Sequence, residues 1–341
     1  MPPINFLDTL GQVSAGGDLT RDQMAAAIDH IMQGGCTDEQ IALLLTALAH
    51  KGETVDEVAG AATAMRRHMR PIRTERTGLV DTCGTGGGGS QTFNVSTTAA
   101  IVAAAAGAPV AKHGNRSITS RSGSADVLAE LGVNIEASVE QVERCLDELG
   151  LCFCFAPLMH PAMKHVGAVR KRLGIRTIFN VLGPLANPAG AEHQLLGAGL
   201  PHLRPLLAGA IQKLGAKRTL VVSGRDGLGD VTITGVTDVT DVTPDGIVEY
   251  EWTPADFGVE PGPLDELLIE TPAQSAERIR EVLAGNSGAS RGIVVLNAAA
   301  ALIIAGIAEG PREGATKAAE AIDSGAASGL LARLGELSHQ E

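Results

Sequence analysis

The segment DTCGTGGGGSQTFNVST, residues 81–97, restricts the possible folds more than any other stretch. Five of the six residues from Gly84 to Gly89 are glycine, and Ser90, Thr92, Asn94, Ser96 and Thr97 follow at once. An apolar run, GLVDTC, leads into this loop, and TTAAIVAAAAG leads out until Gly107 and Pro109 stop it. A strand feeding a glycine loop that opens a helix is a unit of α/β architecture. The chain repeats it. PVAKHG, LCFCFAP, QLLGAG and RTLVVSG read as strands. SGSADVLAELG, SVEQVERCLDELG and LRPLLAGAIQKLG read as helices, and GIVVLNAAAALIIAG closes the alternating series. Apolar strands alternating with helices imply a mainly parallel central sheet covered by helices, with ligands beyond the strands' carboxyl ends. GVTDVTDVTPDG breaks the pattern and reads as an antiparallel excursion or an exposed loop.

Residues 1–71 have a different texture. Thr20 with Gln23, Thr37 with Gln40 and Thr54 with Glu57 are spaced as capping boxes ahead of apolar-periodic runs. The run EQIALLLTALAHKG is apolar around most of its circumference, which requires burial on more than one side. The expected fold class is therefore α/β, with a small all-helical N-terminal domain (1–71) and a larger α/β domain (72–341).

Composition narrows the partners. A net charge of −12 opposes nucleic acid and anionic membrane, which need a broad basic face. Five cysteines without a C-x-x-C pair suit reduced thiols in a cytoplasmic protein, with Cys83 and Cys154 read as small buried hydrophobes. No signal peptide or long apolar span is apparent. Aromatic residues are 2%, so a planar ligand must be held by aliphatic walls and polar groups.

The glycine loop formally matches G-x-G-x-x-G. A dinucleotide site, however, expects a helix starting within the glycines and an acid about 20 residues on. No Asp or Glu occurs between Thr82 and Ala125, and no G-K-[ST] follows the loop. A plain surface turn does not explain the strand before and the helix after. The remaining reading is a cradle for a phosphorylated sugar. Glycine amides form an anion nest, a helix N-terminus follows, and Lys112, His113, Arg116 and Arg121 make a positive island with Ser117, Thr119, Ser120, Ser122 and Ser124.

GTGG…TFNVST, KHGNRSITSRSGSADVLAELG, FAPLMHPAMKHVGAVRKRLGIRTIFNVLGPLANPAG and DGLGD, in this order, resemble the anthranilate phosphoribosyltransferase family. The likeness covers nearly the whole chain. It implies transfer of 5-phosphoribose from phosphoribosyl pyrophosphate (PRPP) to the amine of anthranilate, in tryptophan biosynthesis. It also implies magnesium, two ions per chain in the family's pattern, and a homodimer assembled through the helical domain with help from helices near 162–186. Carried residue by residue, Gly84, Gly87, Gly88, Thr92, Asn94, Val95, Ser96 and Thr97 would hold PRPP. So would Lys112, His113, Gly114, Asn115, Arg116, Ser117, Ile118, Thr119, Ser120 and Ser124. Gly84, Asn115 and Arg170 would meet anthranilate, and Ser96 and Asp230 would bind the metal. Lys112, Asn115 and Arg170 are the residues expected to carry catalysis. An arginine grips a carboxylate with its planar fork, although VRKRLG also reads as a solvated cationic helix face. His160 is expected near the acceptor channel with Pro157 and Met163, or as a cap contact, and His165 at the surface.

Two departures from the family stand out. Gly88 occupies a position usually Asp, and Gly229-Asp230 stand where Asp-Glu is usual. Gly229 offers the second magnesium no side chain, leaving Ser96 and Asp230, with Asp226 as a ligand through water or as a turn former. The rival functions are a phosphoribosyltransferase with another aromatic amine acceptor and a non-catalytic nucleic-acid-binding paralogue.

Overall fold

The computed structural model describes residues 5–86, 91–117 and 120–340. Four helices come first: α1 (Phe6–Ser14), α2 (Arg21–Met32), α3 (Asp38–Lys51) and α4 (Val55–Arg67). Thr20, Thr37 and Thr54 each accept the N–H three residues on and are answered by Gln23, Gln40 and Glu57, so all three capping boxes form. The alternating part follows as β1 (Val80–Gly84), α5 (Val95–Ala105), β2 (Val110–Gly114), α6 (Ser124–Glu130), α7 (Val139–Leu149) and β3 (Leu151–Phe155). Three helices then run without a strand: α8 (Ala156–Met159), α9 (Lys164–Leu173) and α10 (Phe179–Leu182). The sheet resumes with β4 (His193–Gly197), α11 (Arg204–Lys213), β5 (Arg218–Gly224), β6 (Thr237–Thr243) and β7 (Gly246–Trp252). The chain ends in α12 (Pro272–Leu283), α13 (Ala289–Ile304), α14 (Pro311–Asp323) and α15 (Ala326–Ser338).

The seven strands lie in the order β3-β2-β1-β4-β5-β6-β7. The first five are parallel, while β6 and β7 are antiparallel, so GVTDVTDVTPDG is indeed an antiparallel excursion. Side chains alternate between two apolar clusters. Leu195, Leu220 and Val222 join the cluster built with α5 and α12–α15. Leu196 and Val221 point the other way, into a cluster shared with α1–α4 and α9–α11. The helical beginning thus has no core of its own and shares one with a face of the sheet. Among the described residues, no helix is long and apolar enough to cross a membrane.

Candidate active site

The chain leaves β1 toward β2 and β3, then returns to place β4 on the other side of β1. That reversal opens a crevice at the carboxyl ends of β1 and β4, where Gly84 pairs with Gly197. Both glycines are in close contact, Gly197 the more severely. A Cβ on Gly84 would lie 3.1 Å from the Gly197 carbonyl oxygen, and one on Gly197 would collide with the carbonyl oxygen of Gly229. The start of the glycine loop, the end of β4 and the turn after β5 therefore meet at one place.

Asn94 is the N-cap of α5, and the Thr82 hydroxyl donates to the Ser96 carbonyl at 2.9 Å, tying β1 to the helix's first turn. Behind that turn lies Lys112, buried on β2. Its ammonium donates to the Thr82 carbonyl and sits 3.4 Å from the Ser96 hydroxyl. Asp81, fully buried beside it, accepts the His113 N–H at 3.1 Å with one oxygen. The other oxygen has no partner among the described residues. Burial pushes the Asp81 carboxyl up and the Lys112 ammonium down from their ordinary ranges, and each charge restrains the other's shift. Asp230 is pushed up to about 7 by burial, with Lys112 pulling it back.

The expected ligands fall into three groups. Ser96, Lys112 and Asp230 gather around the β1 crevice. Asn115, Arg116, Ser117, Ser120 and Ser124 form the second loop. There Ser124 donates to the Asn115 carbonyl at 3.3 Å, and Ser117 and Ser120 share a hydrogen bond. Gly114 is required, because a Cβ would strike the Ser124 hydroxyl. Gly87, Gly88, Ile118 and Thr119, with Ser90, lie outside the described residues. The Val95 and Thr97 side chains are buried, and the Thr97 hydroxyl has no hydrogen-bond partner among the described residues. Thr92 is drawn into an antiparallel bridge with Leu268.

Arg170 does not lie on a solvated face. Its guanidinium stands 5.6 Å from the Phe179 ring centroid, partly buried, and burial lowers its pKa. Arg172 is the cation that turns outward, to Asp38 at 3.3 Å. His160 stands at the N-cap of the turn Pro161–Met163 but its side chain makes no cap bond; its Nε2 meets His113 Nε2 at 3.2 Å. His113 Nδ1 donates to the Gly183 carbonyl at 3.1 Å. Burial drives the two rings down to about 4 for His113 and about 3 for His160, so both are neutral at pH 7. His165 is half-buried, its ring beside Gly34. Cys154 is buried as expected, but Cys83 is only partly so, and Gln194 donates to its sulfur at 3.1 Å.

Asp226 is a turn former. One of its oxygens accepts the Leu228 N–H at 3.1 Å, and the other takes the Thr232 and Thr234 hydroxyls. Three of its four lone pairs are used in this way, and one on Oδ1 is left for a water. Among the described residues no three His, Cys, Asp or Glu side chains cluster as a metal cage. The residues present nevertheless fit magnesium. Asp230 has no hydrogen-bond partner among the described residues and lies near the Ser96 hydroxyl across Lys112. Magnesium takes one or two carboxylates and completes its coordination with water and substrate phosphates.

Two residues escaped the sequence reading. Asp126 lies one position beyond the acid-free stretch and reaches back to Arg116 at 3.1 Å, the Ser117 N–H at 2.9 Å and the Gly123 N–H at 3.0 Å. The positive island is thereby partly neutralised and its loop pinned. An Asp three residues into a helix is a cap signal that could have revealed it. Ser275, on α12, bonds Asn94 and has no local signal in the sequence at all. A cavity of about 560 Å³ lies elsewhere, lined by Val259, Pro263, Gly292, Val295 and Ala315, and touches no expected site residue.

The chain matches the family models described as the helical bundle domain (residues 7–69) and the a/b domain (residues 76–328) of the glycosyl transferase family. The anthranilate phosphoribosyltransferase of Rhodopirellula baltica is 47% identical over 335 residues, covering 98% of each chain. The crystal structure of the Thermus thermophilus anthranilate phosphoribosyltransferase superposes with a TM-score of 0.92 at 41% identity, covering 98% of this chain and 100% of that one. The Saccharomyces cerevisiae enzyme in complex with PRPP and Mg gives 0.89 at 29% identity, covering 98% and 97%. Full-length identity and superposition agree with the crevice at the β1–β4 reversal, and the chain belongs to the anthranilate phosphoribosyltransferase family.

Proposed function

We propose that this chain transfers 5-phosphoribose from PRPP to the amine of anthranilate, releasing pyrophosphate, as a step of tryptophan biosynthesis in the cytoplasm. The observation that carries the reading is the open first turn of α5 beside buried Lys112, set at the sheet's strand reversal. In the reaction the C1–N bond forms, the C1–oxygen bond to pyrophosphate breaks, and the amine's proton passes to the released pyrophosphate or to water. The transition state resembles an oxocarbenium ion, with negative charge growing on the departing pyrophosphate. Lys112 and the loop amides stabilise that charge, and fixed dipoles and cations aimed at a growing charge lower the barrier more than any other effect in sites of this kind. Ser96 and Asp230 would hold magnesium, which neutralises pyrophosphate charge when bound. Arg170 holds the anthranilate carboxylate against Phe179, with Asn115 and the backbone of Gly84 orienting the ring. A neutral arylamine needs positioning more than deprotonation, so no dedicated base is assigned.

We further propose the division into 1–71 and 72–341, and a homodimer formed through the helical part. Leu7, Leu43 and Ile175 support it: they are 63%, 58% and 45% exposed, on α1, on α3 and just beyond α9, elements that pack side by side. Loss of anthranilate fluorescence on mixing with PRPP, titrated over magnesium, tests acceptor, donor and metal together. Fluorescence that persists at saturating PRPP and magnesium removes the assignment.

A further inference from the structure

We propose that Ser275 is a positioning residue for the donor, acting by keeping Asn94 from capping its own helix. The proposal rests on the donor site described above. An Asn at an N-cap ordinarily turns its side-chain oxygen onto the N–H groups of the second and third helical residues. Asn94 makes no such bond. Both ends of its carboxamide are already taken. Its Oδ1 accepts the Ser275 hydroxyl at 2.8 Å, and its Nδ2 donates to the Ser122 carbonyl at 3.1 Å. The Asn94 N–H donates to the same Ser275 oxygen at 3.0 Å. Ser275 is fully buried and spends its hydroxyl on this one residue.

The consequence lies in the first turn of α5. With the cap diverted, the N–H groups of Ser96 and Thr97 have no partner among the described residues, and the positive end of an 11-residue helix stays open. Ser275 is itself held in place from the loop side. The Phe93 N–H donates to the Leu267 carbonyl at 2.9 Å, and the Ile269 N–H donates to the Gln91 carbonyl at 2.8 Å. This short ladder fixes the exit of the glycine loop to the segment leading into α12. Through Asn94 and Ser122 the same clamp also reaches the second loop. One hydroxyl thus keeps two amides available to phosphate and sets the spacing of both loops.

The test compares Ser275→Ala with the wild-type chain by calorimetric titration of PRPP with magnesium, by steady-state kinetics and by amide hydrogen exchange. The variant is expected to bind PRPP about tenfold more weakly, the scale of one hydrogen bond. Its KM for anthranilate should stay within about twofold. The freed Asn94 should cap α5, slowing exchange at the Ser96 and Thr97 amides. Unaltered PRPP affinity in the variant overturns the proposal while leaving the donor site standing, because the wild type still binds. A wild-type chain that does not bind PRPP removes the donor site and this inference together. Weaker binding with unchanged or faster exchange at Ser96 and Thr97 also overturns it, since Ser275 is then only structural. Should Ser275→Ala not fold, Ser275→Cys keeps the volume with a weaker donor and is judged by the same criteria.

Discussion

Arg170 shows how much one side chain's surroundings decide. Three consecutive cations in VRKRLG gave the sequence no means of choosing between a solvated face and a ligand. Packing chooses: Arg172 goes to Asp38, while Arg170 lies over Phe179 without an ion pair among the described residues. Arg170→Ala is expected to raise the anthranilate KM about 100-fold, the scale of a lost charge-assisted pair, with the PRPP KM unchanged. Arg170→Lys should recover little of it, because a point charge does not reproduce the fork. Steady-state kinetics decide it, and an unchanged acceptor KM would retire the role. His113 and His160 give a pH prediction. Their folded pKa values, about 4 and about 3, lie below the unfolded value near 6.5, so the unfolded chain takes up protons first as pH falls. Stability is then full above about pH 6.5 and declines toward pH 4, by up to about 3 kcal/mol for His113 alone. Urea midpoints measured from pH 7.5 to 5 should fall in the wild type and fall less in His160→Gln. Identical slopes would show that the pair does not set the acid limb.

At the scale of elements, local rules were legible and crossings were not. Thr20, Thr37 and Thr54 announce their helices because capping is a four-residue matter. The strand feeding the glycine loop and the helix after it were equally plain. That β4 lies beside β1 was not, because strand order depends on contacts more than 100 residues apart. For the same reason Ser275 stayed hidden, and Asp226 could not be assigned until Thr232 and Thr234 were seen to occupy it. Gly197 is where the crossing can be tested. Gly197→Ala forces a methyl group into the Gly229 carbonyl, where backbone rather than a flexible side chain must yield. The expected cost is about 1–3 kcal/mol of stability, with a larger proportional loss of kcat/KM, since β1, β4 and the 225–230 turn all shift. Denaturant melts and initial rates measure both. Wild-type values on both would mean that the crevice tolerates the strands moving apart.

For the molecule as a whole, the exposed leucines on α1 and α3 belong with the dimer proposal. Leu43→Lys is expected to convert a dimer to a monomer in light scattering after gel filtration, while each chain keeps its PRPP affinity. A wild-type chain that runs as a monomer would end that proposal. The cluster joining α1–α4 to Leu196, Val221 and Val242 has an effect on synthesis. The ribosome releases the first four helices while the surface they must cover, from Val166 to Val242, has yet to be made. For the time taken to add some 170 residues, those helices hold an apolar face toward water. Newborn chains should therefore be captured by holding chaperones until β6 emerges, and the helical bundle, although translated first, should become native only after the sheet has been made as far as β6.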